Sequence, residues 1–113
     1  MSRTRISIAL ALLVAGATAG QSAISTAAGT KTIAVKDDVF APKRTTISKD
    51  TLVTWRWQGD NPHNVKSRGT KRFKSSAVKR TGRHRFRFTK SGTYRYVCTI
   101  HEDDGMTGTI IVR

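Results

Sequence analysis

Acidic side chains and sulfur are scarce in this chain. Seven Asp or Glu stand against 21 Lys or Arg, giving a formal net charge of +14. None of the acids lies between Asn61 and His101, a span that holds twelve Lys or Arg. Such a balance argues against basic partners along most of the surface and favours anionic ones, or simply a solvated face. There is one cysteine, Cys98, and after the initiator one methionine, Met106. A lone cysteine excludes an internal disulfide; it pairs with another chain, stays a free thiol or ligates a metal. No apolar run reaches the ~20 residues that span a bilayer. The longest, Ile6 to Ala19, has 14 and follows Arg3 and Arg5. Those arginines are not adjacent, which gives no support to a twin-arginine signal, and no cysteine follows the run to carry a lipid. There is no helical periodicity beyond this segment, no internal repeat and no low-complexity tract.

A charged start, a short apolar stretch and a small-residue exit predict a secretory signal peptide over residues 1–28. Cleavage is expected at 19/20, after Ala17-Thr18-Ala19, or at 28/29, after Thr26-Ala27-Ala28. What remains, residues 29–113, is enough for one small domain with a marginal core. Its patterning is that of short alternating strands separated by Gly, Pro, Asn or Asp, which predicts an all-β sandwich or barrel. Expected strands are Thr32 to Lys36, Arg44 to Ser48, Thr51 to Trp57, His63 to Lys66, Arg83 to Thr89, Thr93 to Cys98 and Thr107 to Val112. Val53, Trp55 and Trp57 share one face of their strand. His84, Phe86 and Phe88 share another, opposite a stripe of Arg83, Arg85 and Arg87. Ser67 to Thr81 reads as irregular and basic, anchored by Phe73, and Asp37-Asp38 as a strand break.

Chemistry concentrates between Tyr96 and Met106. Cys98, His101 and Met106 place a thiol, an imidazole and a thioether in one loop between two strands, and His63 offers a second imidazole. Thiolate and thioether select copper(I), imidazole suits copper in either oxidation state, and Cys with two His and a weak axial Met describes an electron-transfer copper site. Singly, each residue has an ordinary reading: an inert buried thiol, a surface histidine, a packing methionine, a turn histidine. Together they predict one metal, with copper favoured over zinc by the thioether and by the affinity order. His63 lies far upstream of Cys98, so the site must join a separate strand end to the Cys98 loop. His84, in phase with the core, reads as structural.

The order Phe40-x-Pro42, Trp55, Asp60, Pro62-His63-Asn64-Val65, Phe73-x-Ser75, Gly92-x-Tyr94-x-Tyr96-x-Cys98-x-x-His101-x-x-x-x-Met106 and Gly108-x-Ile110-x-Val112 resembles the cupredoxin family, in particular its plastocyanin and pseudoazurin branch. The resemblance covers nearly all of residues 29–113. It implies a Greek-key β-sandwich of seven or eight strands with one type 1 copper at a pole. It implies His63, Cys98, His101 and Met106 as ligands, and Asn64 as a neighbour that braces the two ligand loops near the cysteine. Phe40, Trp55, Phe86 and Phe88 become core. The chain departs from the family at Glu102-Asp103-Asp104-Gly105, where relatives often carry Pro, Gly or apolar residues; the acids replace an apolar docking patch.

The expected function is that of an exported, extracytoplasmic type 1 copper protein, a one-electron carrier cycling Cu(I)/Cu(II) and not an enzyme. The alternative is copper sequestration or delivery through the same ligands. Multicopper enzymes by resemblance need further histidines, one beside the cysteine; here Val97 and Thr99 flank Cys98. Expected partners are redox proteins with an acidic docking surface, with association with an anionic cell envelope as a further possibility, and nucleic acid the poorest fit. The protein is expected to be a monomer in the periplasm or cell envelope.

Overall fold

A computed structural model describes residues 29–113. The expected signal peptide over residues 1–28 lies outside the described residues.

Among the described residues eight strands form two four-stranded sheets. They are β1 (Thr30–Lys36), β2 (Val39–Ala41), β3 (Arg44–Ile47), β4 (Thr51–Trp57), β5 (Lys66–Arg68), β6 (Arg83–Phe88), β7 (Gly92–Val97) and β8 (Thr107–Val112). The first sheet has the order β2-β1-β4-β6 and the second β3-β8-β7-β5. Two pairings, β1 with β4 and β3 with β8, are parallel, and the rest are antiparallel. A short 3-10 turn, Glu102–Asp104, is set between β7 and β8.

Alternation decides which face each strand buries. From the first sheet Ile33, Val35, Val53, Trp55 and Phe88 point inward; from the second come Ile47, Tyr94, Tyr96, Ile110 and Val112. Trp55 is the hub. Phe73 stacks on it with ring centroids 5.4 Å apart, and Tyr96 meets its edge at 5.5 Å. Offset and edge-on aromatic contacts of this kind add to simple burial. Phe73, on the long β5–β6 connection, thus closes one side of the core as its isolated position in a basic stretch suggests. Phe86 is only partly buried and packs against the cluster from outside, so it is less of a core residue than its phase with Phe88 implies. On the opposite face of the first sheet Arg56, Arg83, Arg85 and Arg87 are exposed, with Arg56 directly across from Arg83.

The expected strand from His63 to Lys66 is displaced. His63 makes only an isolated bridge to Lys79, and the ladder begins at Lys66. Around that start the backbone is satisfied by hydroxyls: Val65 N–H donates to Ser76 Oγ, and Ser67 N–H, within β5, to Ser75 Oγ. Side-chain hydroxyls from the β5–β6 connection compete with a ladder in this way.

Gly108 sits opposite Tyr96 in the β7–β8 pair, and a Cβ there would run into the Tyr96 ring. Both residues are buried, so the ring has no free direction in which to move. Gly108→Ala is therefore expected to overpack the core and cost about 1–3 kcal/mol. A fall in the urea midpoint at constant m-value would register it; an unchanged midpoint would contradict it.

Candidate metal centre

Strand ends bring the predicted residues together. Cys98 follows β7 directly, and Met106 immediately precedes β8. The loop between them is tied to itself by its backbone. Cys98 N–H donates to Met106 O at 3.0 Å, His101 N–H to Cys98 O at 3.2 Å and Met106 N–H to His101 O at 3.2 Å. Gly105, at φ 84°, ends the 3-10 turn in the left-handed region that glycine tolerates, its N–H donating to Glu102 O.

The other loop is delivered by register. β5 pairs Lys66 with Val97, and continuing that alignment past the ladder's end sets Asn64 beside Thr99. Asn64 Oδ1 accepts there from the Thr99 backbone N–H at 2.8 Å and the Thr99 hydroxyl at 3.3 Å. Asn64 thus links the two loops at the residue after the cysteine. His63 itself is pinned at its carbonyl by the Trp57 indole N–H at 3.1 Å.

His63, Cys98 and His101 then converge. His63 Nδ1 lies 3.8 Å and His101 Nδ1 3.7 Å from Cys98 Sγ. One donor atom from each of the three residues lies within 4.8 Å of the others. Metal–nitrogen and metal–sulfur bonds of about 2.0 and 2.3 Å, meeting at roughly 110–120°, separate N from S by about 3.5–3.7 Å. The observed spacings fit one ion between the three side chains. His63, Cys98 and Met106 are fully buried, while the His101 side chain keeps 18 % of its surface exposed. Met106 shares the same end of the core, so that the four residues are placed as in a type 1 copper site. His84 stands apart. Its Nε2–H donates to Lys74 O at 2.7 Å, its ring leans on Trp55, and burial lowers its pKa.

Sequence reasoning missed what surrounds the imidazoles. The Asp37-Asp38 break is part of the site: Asp37 Oδ1 lies 2.9 Å from His63 Nε2, and Asp38 Oδ1 3.3 Å from His101 Nε2. No local pattern links residue 37 to residue 63. The signal is topological, because parallel pairing of β1 with β4 places Val35 beside Trp57 and hence Asp37 beside the loop that follows. Backbone N–H groups of Asp60 and Asn61, with the His63 ring, hold the Asp37 carboxyl down at about 2. Glu102, in the ligand loop, forms an exposed ion pair with Arg68 at 3.0 Å.

Known proteins resemble this chain to different depths. Halocyanin from Natronomonas pharaonis is 38% identical over 77 residues, which make up 65% of this chain and 47% of that protein. The chain therefore spans about half the length of this relative. A solved structure titled a novel purple cupredoxin, from Nitrosopumilus maritimus, superposes with a TM-score of 0.66 at 24% identity, covering 74% of this chain and 99% of the other. Oxidised plastocyanin from Dryopteris crassirhizoma gives 0.63 at 20% identity, covering 73% and 99%. At these identities the structural likenesses speak for the fold. A family model described as a cupredoxin-like domain matches residues 6–112. With nearly its whole length inside those bounds, the chain belongs to the cupredoxin-like family.

Proposed function

We propose that this protein is an exported one-electron carrier, with residues 29–113 as its copper domain and His63, Cys98, His101 and Met106 as the ligands. Copper held there would supply the Cu(I)/Cu(II) couple. Cys98 would contribute a thiolate, the two histidines neutral imidazoles and Met106 a weaker axial sulfur. The observation that carries the reading is the asymmetry of burial: Cys98, His63 and Met106 are closed off, and the His101 edge alone among them reaches solvent. An electron can leave through that edge, whereas a metal ion has no comparable opening. Ligands on two strand ends, locked by their own backbone bonds, need little rearrangement when charge changes.

That burial also weighs against copper delivery, which wants an open and exchangeable site. Electrochemistry separates the two. A carrier gives a reversible one-electron wave and keeps its copper through repeated cycles; a delivery protein loses copper to a competing chelator as it cycles. An enzymatic role would need a second metal centre, and His84, bound to Lys74 O, is the one histidine left for it. Export is supported by the patterning of residues 1–28 and places the protein in the periplasm or cell envelope. Among the described residues no helix is long and apolar enough to cross a membrane. As a monomer it would meet redox partners through an acidic docking surface, attracted by the arginines on β4 and β6. Association with an anionic envelope is the weaker possibility. Such steering predicts an association rate that falls steeply with salt.

Six of the seven acids, Asp37, Asp38, Asp60, Glu102, Asp103 and Asp104, belong to the turns and loops at the metal end. Negative charge there favours Cu(II) and lowers the reduction potential, less so where water screens it. Replacing Glu102, Asp103 and Asp104 by Gln, Asn and Asn is expected to raise the potential, and more at low salt. A potential that stays put or falls would refute the electrostatic reading.

A further inference from the structure

We propose that Asp37 is a positioning residue for the metal centre: its carboxylate accepts the Nε2 proton of His63 and so holds the ring as the tautomer whose bare Nδ1 faces Cys98. The proposal takes its purpose from the copper reading, but its structural content stands without it.

A carboxylate with no proton can only accept. With Asp37 Oδ1 at 2.9 Å, Nε2 of His63 must therefore be the protonated nitrogen. In the neutral imidazole the other nitrogen is then a lone-pair donor, and it is this Nδ1 that lies 3.8 Å from Cys98 Sγ. A ring turned over would present a C–H to the metal position, and one protonated on Nδ1 an N–H.

Asp37 is itself over-determined. Its two oxygens accept from Asp60 N–H at 3.1 and 3.0 Å, and Oδ1 also from Asn61 N–H at 2.9 Å. The carboxylate thus ties the loop that carries His63 to the end of β1. Gly59 makes the approach feasible, because a Cβ at that position would collide with the Asp37 carboxylate. The turn also depends on Asp38, whose φ of 66° lies in the left-handed region that Asp tolerates better than most residues. Asp38 faces His101 and not His63, which makes it the natural control.

Ring nitrogen chemical shifts of His63 in the metal-free protein read the tautomer directly. The wild type is expected to show Nε2–H alone. Asp37→Ala should show a mixture of tautomers, and Gly59→Ala, which displaces the carboxylate, should move the same way. Asp37→Asn keeps an acceptor oxygen and should restore Nε2–H, while Asp38→Asn, which tolerates the same left-handed backbone, should leave His63 unchanged. Loss of a carboxylate behind a ligating histidine typically costs 10–100-fold in metal affinity. The copper dissociation constant is accordingly expected to rise about 10–100-fold in Asp37→Ala and less in Asp37→Asn.

A wild-type His63 carrying its proton on Nδ1 would overturn the proposal. So would an Asp37→Ala protein with an unaltered tautomer and unaltered copper affinity. A His63 tautomer that depends on Asp37 in a protein that takes up no copper would support the assignment and overturn the copper reading alone.

Discussion

Cys98→Ser is expected to abolish the intense visible absorption of the copper-loaded protein and its reversible redox wave. The absorption is a charge transfer from thiolate sulfur to copper, so no hydroxyl can reproduce it. Serine also removes the soft ligand that favours Cu(I). Copper affinity should therefore fall by more than the roughly 10–100-fold that losing an outer partner costs. The fold should survive. Cys98 is fully buried, so an unpaired hydroxyl there should cost about 1–3 kcal/mol, less than the stability of a typical domain. Visible spectroscopy and voltammetry on the loaded variant, beside a thermal melt of its metal-free form, measure the two effects apart. A variant that keeps colour and redox wave would remove Cys98 from the site. One that keeps its biological function without copper would instead favour a metal-free adhesive role for the basic faces.

Copper loading is expected to raise the melting temperature by tens of degrees. A ligand that binds only the native state stabilises it by about 4 kcal/mol when free at a thousand times its dissociation constant. For a domain of 60–100 residues each kcal/mol moves the midpoint by roughly 4–8 °C, so the rise should be about 15–30 °C. The gain should come from binding and not from folding the loop. That loop is already tied by Cys98 N–H to Met106 O, Met106 N–H to His101 O and Thr99 N–H to Asn64 Oδ1. Calorimetry with and without copper tests this, with Cys98→Ser as the control in which the shift collapses. A midpoint indifferent to copper in the wild type would mean that no tight site exists.

Local chemistry was what the sequence displayed best. Cys98, His101 and Met106 lie in one loop, and the alternation of Val53, Trp55 and Trp57 or of Tyr94, Tyr96 and Cys98 marks inward faces without any knowledge of neighbours. The two-sheet sandwich follows from such strands, and it carried His63 to Cys98 as expected. Relations set by pairing were hidden. Nothing near residue 37 announces that β1 runs parallel to β4, yet that pairing puts Asp37 behind His63 and Asp38 beside His101. The shift of the His63–Lys66 strand to Lys66–Arg68 has the same origin, since Ser75 and Ser76 lie eight and eleven residues away from the N–H groups they accept from. Phe86 was over-read because phase tells which way a side chain points, not whether anything covers it.

Titrating Cu(II) into the purified protein while recording its visible spectrum tests the central claim most directly. An intense thiolate charge-transfer band that grows linearly and stops at one copper per chain is the result this site requires. A colourless protein, or a weak band that never saturates, would mean that His63, Cys98, His101 and Met106 do not jointly hold a copper ion.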